Sequence, residues 1–283
     1  MISPLRITSS GYVGDSVTPA GLIVELETSD GHKQMLTSSD GDRGREIFLS
    51  PDGFSGVRGA VSWDETEAVG QYGVRRTGRH SYRVSPLSVN LAYGLRAKRG
   101  GLPDLARRWE GMWSAYEVQK LHVRSSYGRF WANVVDPTFS EWPDNLLSRR
   151  VWETSMQCRV LDGHWFGETE VFTGNFTMTP RGDKPLSPSM KLVWPGNQTT
   201  VKFPSGLTVA LPGVNVERHI NLDRGFSGQV TKPDGTVDTG LWSSFQGLIS
   251  GLSLTPGEPT TWELGTGVEL HVTPRYLSPL GRK

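Results

Sequence analysis

The sequence predicts a mainly-β protein built in two blocks, with a single helix. Three observations carry this expectation. Gly and Pro supply 34 and 18 of the 283 residues, above the average combined usage of roughly 12%, and chain-turners at that density disfavour long helices. Apolar and polar residues alternate at period two in many stretches, whereas only one stretch has a 3.6-residue apolar stripe. A chain of 283 residues suits two ordinary domains better than one. Hydrophobic residues make up a lean 36%, but ten Trp, ten Phe and seven Tyr bury large areas each, so a packed core is expected and general disorder is excluded.

Taken in order, Leu22, Val24 and Leu26 alternate with Ile23, Glu25 and Glu27, the pattern of a half-buried strand. Thr37–Arg45 reads as an exposed, mobile polar loop, and Arg83–Leu91 as a strand. Leu102, Leu105, Ala106, Trp109, Met112, Trp113 and Tyr116 form one apolar stripe, which predicts a helix over 102–117. Gly100 and Gly101 break the preceding element, Pro103 suits the first turn, and Asp104 complements the N-terminal dipole. Arg107, Arg108 and Glu110 lie off the stripe and should face water.

Further strands are expected at Phe130–Val135 and around Trp152–Val160. In the latter, Trp152, Thr154, Met156, Cys158 and Val160 form the inward set, and Val151, Glu153, Ser155, Gln157 and Arg159 the wet one. Cys158 is thereby expected as a small buried hydrophobe. Trp109, Trp113, Trp131, Trp142, Trp152 and Trp165 fall close together. They read as one aromatic core joining helix to strands, in preference to a sugar-binding platform or a cofactor-stacking pair.

Strand patterns continue at Glu170–Thr179, Leu207–Leu211, Val216–Leu222 and Val268–Thr273, and Lys232–Thr236 has the Pro, Asp and Gly of a tight hairpin turn. The Pro-rich, aperiodic run Pro180–Pro188 marks a domain boundary. The expected domains are 1–185 and 186–283.

The charge balance, 30 Lys+Arg against 29 Asp+Glu, gives no electrostatic case for binding nucleic acid or membrane. A single cysteine excludes an intrachain disulfide and a cysteine-rich zinc site. The first residues have no apolar run suited to a signal peptide, and no stretch approaches the ~18 apolar residues of a membrane span. The chain is therefore expected to be soluble and made in the cytosol.

Catalytic patterns are weak throughout. No nucleophile elbow, zinc-protease helix, phosphate-binding loop or dinucleotide fingerprint occurs. His32, His80, His122, His164, His219 and His271 are scattered singly, with His219 and His271 in outward strand positions. Glu168 and Glu170 could share a strand face as a glycosidase-like pair, but acidic pairs on wet strand faces are commonplace. Asp40 and Asp42 flank a glycine without the rest of a calcium loop. Arg181–Asp183 is a short Arg-Gly-Asp match, and Asn175–Thr177 a glycosylation sequon with no secretory context. Arg96–Arg99 and Arg149–Arg150 read as solvated charges. The sequence thus describes no enzyme and nominates no catalytic, cofactor-binding or metal residue.

One succession is more specific. Gly206–Gly213 leads into the strand Val216–Leu222, the turn Lys232–Thr236, a polar and aromatic stretch ending at Leu241–Trp242, the turn Leu252–Gly257, the strand Gly267–Val272 and the closing run Pro274–Pro279. In its order of turns this resembles the C-terminal half of the distal tail proteins of long-tailed, non-contractile bacteriophages. The earlier helix and the strands Phe130–Val135 and Trp152–Val160 match the N-terminal domain of that family.

The resemblance implies an N-terminal ring-forming β-sandwich with one α-helix, and a C-terminal galectin-like or jelly-roll β-sandwich that serves as a docking arm. It implies a structural virion protein forming a hexameric ring between tail tube and tail tip. The implied partners are further copies of itself, the tail tube protein, the tape measure protein, the tail-tip hub and receptor-binding proteins. DNA only passes through the channel, and no cofactor or membrane is involved. The implied location is the virion tail tip, after synthesis in the host cytoplasm. The family has no catalytic motif, so no residue role is carried over. A second reading is a carbohydrate-binding β-sandwich module for host-surface attachment, and a third, ranked well below, a glycan hydrolase using Glu168 or Glu170.

Overall fold

The computed structural model describes residues 6–8, 11–13, 22–37, 45–63, 65–66, 75–76, 82–97, 101–223, 225–226, 228–245, 249 and 252–280. The fold is mainly β, as the alternation predicts, and divides into two compact units: Met1–Trp165 together with Leu277–Lys283, and Phe166–Tyr276.

Unit 1 is dominated by one antiparallel sheet. Its strands are β1 (Ile23–Glu27), β2 (Lys33–Met35), β3 (Ile47–Ser55), β4 (Leu87–Arg96), β5 (Gln119–Ser125), β6 (Gly128–Phe139) and β7 (Val151–Val160), in the spatial order β2-β1-β5-β6-β7-β4-β3. β4 and β7 pair along their whole length, from Leu87 opposite Val160 to Arg96 opposite Val151. The inward face carries Val24, Leu26, Val89, Leu91, Leu121, Val123, Val134, Met156 and Cys158, all buried. Along β7 the burial alternates residue by residue, with Trp152, Met156, Cys158 and Val160 buried and their neighbours on the wet side exposed. Short strand pairs, Val61–Trp63 with Tyr82–Val84 and Glu65–Thr66 with Arg75–Arg76, stand apart from the large sheet.

The helix α1 spans Leu102–Gly111 and buries Leu102, Leu105, Ala106 and Trp109, while Arg107 and Arg108 are exposed. Trp109 packs on Tyr93 of β4 with ring centroids 5.0 Å apart, and Trp113 meets Trp109 edge-on at 5.4 Å. The predicted span of 102–117 is too long. The last turn tightens, with Met112 N–H on Trp109 O and Trp113 N–H on Glu110 O. Ser114 Oγ then accepts the N–H groups of Tyr116 and Glu117, a side-chain turn that competes with helix continuation. Tyr116, expected on the buried stripe, is 99% exposed.

One close approach in the sheet requires glycine. Gly94 of β4 lies opposite Phe48 of β3, and a Cβ there would sit 2.2 Å from the Phe48 ring. The bare backbone lets the ring lie across the strand, where the Arg96 guanidinium covers it at 4.9 Å. Aromatic cover of a strand glycine restores the packing that glycine lacks.

Unit 2 is a sandwich of two antiparallel sheets. Its elements are β8 (Glu170–Thr173), β9 (Asn175–Met178), β10 (Ser189–Trp194), β11 (Thr199–Lys202), β12 (Thr208–Leu211), β13 (Arg218–Asn221), β14 (Val230–Thr231), α2 (Thr239–Phe245), β15 (Thr260–Leu264) and β16 (Glu269–Thr273). One sheet runs β8-β16-β10-β13-β14 and the other β9-β15-β11-β12. Leu192, Trp194, Ile220 and Leu270 from the first meet Val201, Leu211, Trp262 and Leu264 from the second in a single core.

The single strand expected at Glu170–Thr179 is two. Gly174, at φ 67°, breaks it, so β8 pairs with β16 while β9 pairs with β15 in the other sheet. Phe172 and Phe176 stack across this corner at 4.9 Å. Gly235, at φ 85°, closes the predicted turn, with Gly235 N–H on Lys232 O and Lys232 N–H on Thr236 O.

The expected boundary at 185/186 is displaced to 165/166, because β8 and β9 find their partners in β16 and β15. At its far side the chain leaves unit 2 after Tyr276 and rejoins unit 1. There Gly59 N–H donates to Leu277 O at 2.6 Å and Ser125 Oγ to Pro279 O at 3.2 Å.

Candidate functional site

The residues that sequence reading weighed for chemistry stand apart in the structure. Glu170 opens β8 and pairs with Arg181 at 3.1 Å, while Glu168 precedes the strand. His219 Nε2 lies 2.9 Å from Glu217, and His271 Nε2 lies 2.8 Å from Glu269, each on its own outward strand position. His122 reaches Glu27 at 3.0 Å on the wet face of unit 1, and His164 Nδ1 lies 2.7 Å from Asp162 O. Among the described residues no group of three His, Cys, Asp or Glu side chains is placed to hold a metal ion. Asp40, Asp42, His80, Lys98 and Arg99 lie outside the described residues, as does the loop 37–45 apart from Thr37 and Arg45.

Cys158 is 1% exposed, and burial pushes its thiol up to about 12. Little of it is thiolate at neutral pH, the form in which a cysteine attacks. The Arg-Gly-Asp match is drawn into the fold of unit 2, with Asp183 N–H on Arg275 O and Gly182 packed against the same carbonyl. Of the six clustered tryptophans, Trp109, Trp113, Trp152 and Trp165 are buried, the core role predicted for them. Trp165 also donates through Nε1 to Val57 O at 2.8 Å. Trp131 and Trp142 remain partly open, Trp131 under Lys120 and Trp142 bonded to Glu110.

What the geometry offers instead is surface. The wet face of the unit 1 sheet is laced with ion pairs and amide contacts. Lys33 meets Glu25 and Glu27, Arg159 meets Asp136 at 2.6 Å, and Gln157 Nε2 donates to Asn90 Oδ1 at 3.1 Å. β2 and β3 end the strand path of this sheet, and strand edges are ready surfaces for pairing.

No protein-family model matches the chain, and no curated protein is similar to it in sequence. Solved structures do match. The Dit protein of phage SPP1, described as a paradigm of hub adsorption apparatus in phages infecting Gram-positive bacteria, superposes with a TM-score of 0.57 at 11% identity, over 90% of this chain and 99% of that one. The fold is that of phage tail hub proteins. A chain of the phage P2 baseplate in its activated conformation follows, with TM-scores of 0.51 in the calcium form and 0.50 in the strontium form. In both forms the identity is 9% and the match covers 90% of this chain and 98% of that one. A hub fold extending over 90% of the chain takes in residues of both units. The likeness to distal tail proteins expected from the order of turns is thus borne out at the level of fold.

Proposed function

We propose that this chain is a structural protein of the tail tip of a long-tailed, non-contractile bacteriophage. In this reading it forms a ring, hexameric in stoichiometry, between the tail tube and the tip. Unit 1 builds the ring around the channel and unit 2 is the arm that docks receptor-binding or other tip proteins. The tail tube, tape measure and hub proteins are its neighbours, and DNA only passes through. The observation that carries the proposal is the likeness to the SPP1 Dit protein over nearly all of both chains.

Physical features support it. A closed ring needs a heterologous, head-to-tail interface, which the edges of the unit 1 sheet could supply. A formal net charge of +1 suits a passage that must not retain DNA. The burial of most clustered tryptophans weighs against the sugar-binding alternative. Among the described residues no helix is long and apolar enough to cross a membrane.

The test is native mass spectrometry of the purified chain together with negative-stain imaging. Sixfold mass and ring-shaped particles are expected. A protein that stays monomeric at high concentration and binds glycans on an array would overturn the proposal in favour of the carbohydrate-binding module.

A further inference from the structure

The second sheet of unit 2 ends in two strands, β9 and β12, whose outer edges are open. Phe203 N–H donates to Leu207 O at 2.8 Å, so the bonded pairs of the β11–β12 ladder alternate from there as Val201–Val209 and Thr199–Leu211. Thr208 and Ala210 therefore turn their N–H and C=O groups away from β11. Gly265 N–H on Thr200 O at 2.9 Å agrees, because it aims Thr200, the partner of Ala210, at β15. At the opposite edge Leu264 N–H donates to Gly174 O at 3.0 Å. Phe176–Trp262 and Met178–Thr260 are then the bonded pairs of the β9–β15 ladder, and Asn175 and Thr177 face outward. Among the described residues no backbone group meets these outward N–H and C=O groups. Natural proteins guard strand edges with charge, proline or a covering element. Neither β9 (Asn-Phe-Thr-Met) nor β12 (Thr-Val-Ala-Leu) contains a charge or a proline. In the other sheet, β8 carries Glu170 paired with Arg181, and β14 is two residues long with α2 against it.

We propose that β12 of one chain pairs with β9 of a second copy, extending this sheet from molecule to molecule. Strand direction alternates along β9-β15-β11-β12, so the β9 that a second copy adds beside β12 runs antiparallel to it. Setting Thr208 opposite Thr177 and Ala210 opposite Asn175 joins every outward N–H to an outward C=O. The same register sets Val209 opposite Phe176 and the 38% exposed Leu207 opposite Met178, apolar against apolar on the core side. On the wet side it opposes two threonines. Cross-strand pairs of both kinds are stabilising. This match between the two edges of one sheet selects a second copy over an unrelated extended segment. The contact is head-to-tail and heterologous, and it goes beyond the ring proposal, whose interface lies in unit 1.

The test is disulfide trapping in the full chain, with Thr177→Cys and Thr208→Cys combined. The native Cys158 is 1% exposed and stays out of the reaction. Within one chain the two edges lie three strand spacings apart, roughly 14 Å, beyond the reach of a disulfide. Any bridge formed therefore joins two copies. Under mild oxidation the double variant is expected to give a ladder of covalent multimers, and neither single variant more than a trace of dimer. Asn175→Cys with Ala210→Cys, the other opposed pair, repeats the test if the first pair disturbs folding. Adding Ala210→Pro to the first pair removes an outward N–H and leaves the β11–β12 bonds intact, as edge positions allow. It is expected to weaken the association about tenfold with the thermal melt unchanged. No ladder from a folded double variant, as much dimer from Thr208→Cys alone, or a ladder indifferent to Ala210→Pro would each overturn the proposal. Sixfold rings without a ladder leave the ring proposal standing and remove this one, and a ladder without rings does the reverse.

Discussion

Arg275 donates through Nη2 to Asp223 Oδ2 at 2.7 Å and through Nη1 to Ser187 O at 3.1 Å, tying the last residues of unit 2 to the loop after β13. Asp223 completes the knot by accepting Ser189 Oγ at 2.8 Å and Met190 N–H at 2.9 Å. Both side chains are largely buried, so removing either leaves the other poorly compensated. Arg275→Met and Asp223→Ala are each expected to destabilise unit 2 by about 2–3 kcal/mol. Urea denaturation checks this. In a double-mutant cycle the combined loss should fall short of the sum, because each single change already breaks the shared pair.

Gly94 and Phe48 make a second, purely steric prediction. Gly94→Val drives a side chain into a ring that is 2% exposed and pinned beneath Arg96. Overpacking of this kind costs about 1–3 kcal/mol. Adding Phe48→Ala frees the space and should recover part of the loss of the valine variant. Thermal melts of the two variants decide it.

Cys158 should behave as a reporter of unfolding. With its thiol pushed up to about 12 by burial, little thiolate exists at pH 8 in the folded state. Labelling with a chromogenic disulfide reagent is expected to be slow in buffer and fast in urea, and to follow the unfolding rate. Prompt labelling of the native protein would contradict the burial.

Asp238 gives a pH dependence with a definite sign. Its carboxyl is held below its ordinary value by the Leu241 N–H and by the Arg218 guanidinium 2.9 Å away. A carboxylate lowered in the folded state contributes stability that is present above its unfolded pKa and lost as pH falls through the folded one. Asp238→Ala, which removes the N-cap of α2, should cost about 1–2 kcal/mol at neutral pH. The difference from the parent should shrink as pH drops below the ordinary carboxylate range, which chemical denaturation at stepped pH would show.

Features set by neighbours in sequence were legible before the structure. The alternation of β7, the inward Cys158, the first turn of α1 with its Pro103 and the turn closed by Gly235 all follow from local periodicity and turn chemistry. Features set by remote partners were not. β8 and β9 read as one strand because nothing local shows that their partners lie roughly 90 residues on, in two different sheets. The same remote pairing moved the boundary to 165/166.

Other differences are local but subtle. The helix overran because the apolar stripe continues past Gly111, while a single hydroxyl, Ser114 Oγ, captures the backbone that would extend it. The seven-residue α2 is too short to show a period and contains Gly240. Its one signal was Asp238, whose Oδ1 accepts Leu241 N–H at 3.2 Å. For function, scattered histidines and acidic residues implied no reaction centre, but which surfaces matter depends on register. The outward turn of Thr208 and Ala210 can be seen only once β11 and β12 are paired.

The return of the chain to unit 1 at Leu277 has a bearing on how the protein is made. Synthesis delivers the whole of Phe166–Tyr276 before Leu277 and Pro279 leave the ribosome. Gly59 and Ser125 must therefore wait for their carbonyl partners until the inserted unit has been translated. The unit begun first on the ribosome is the one completed last.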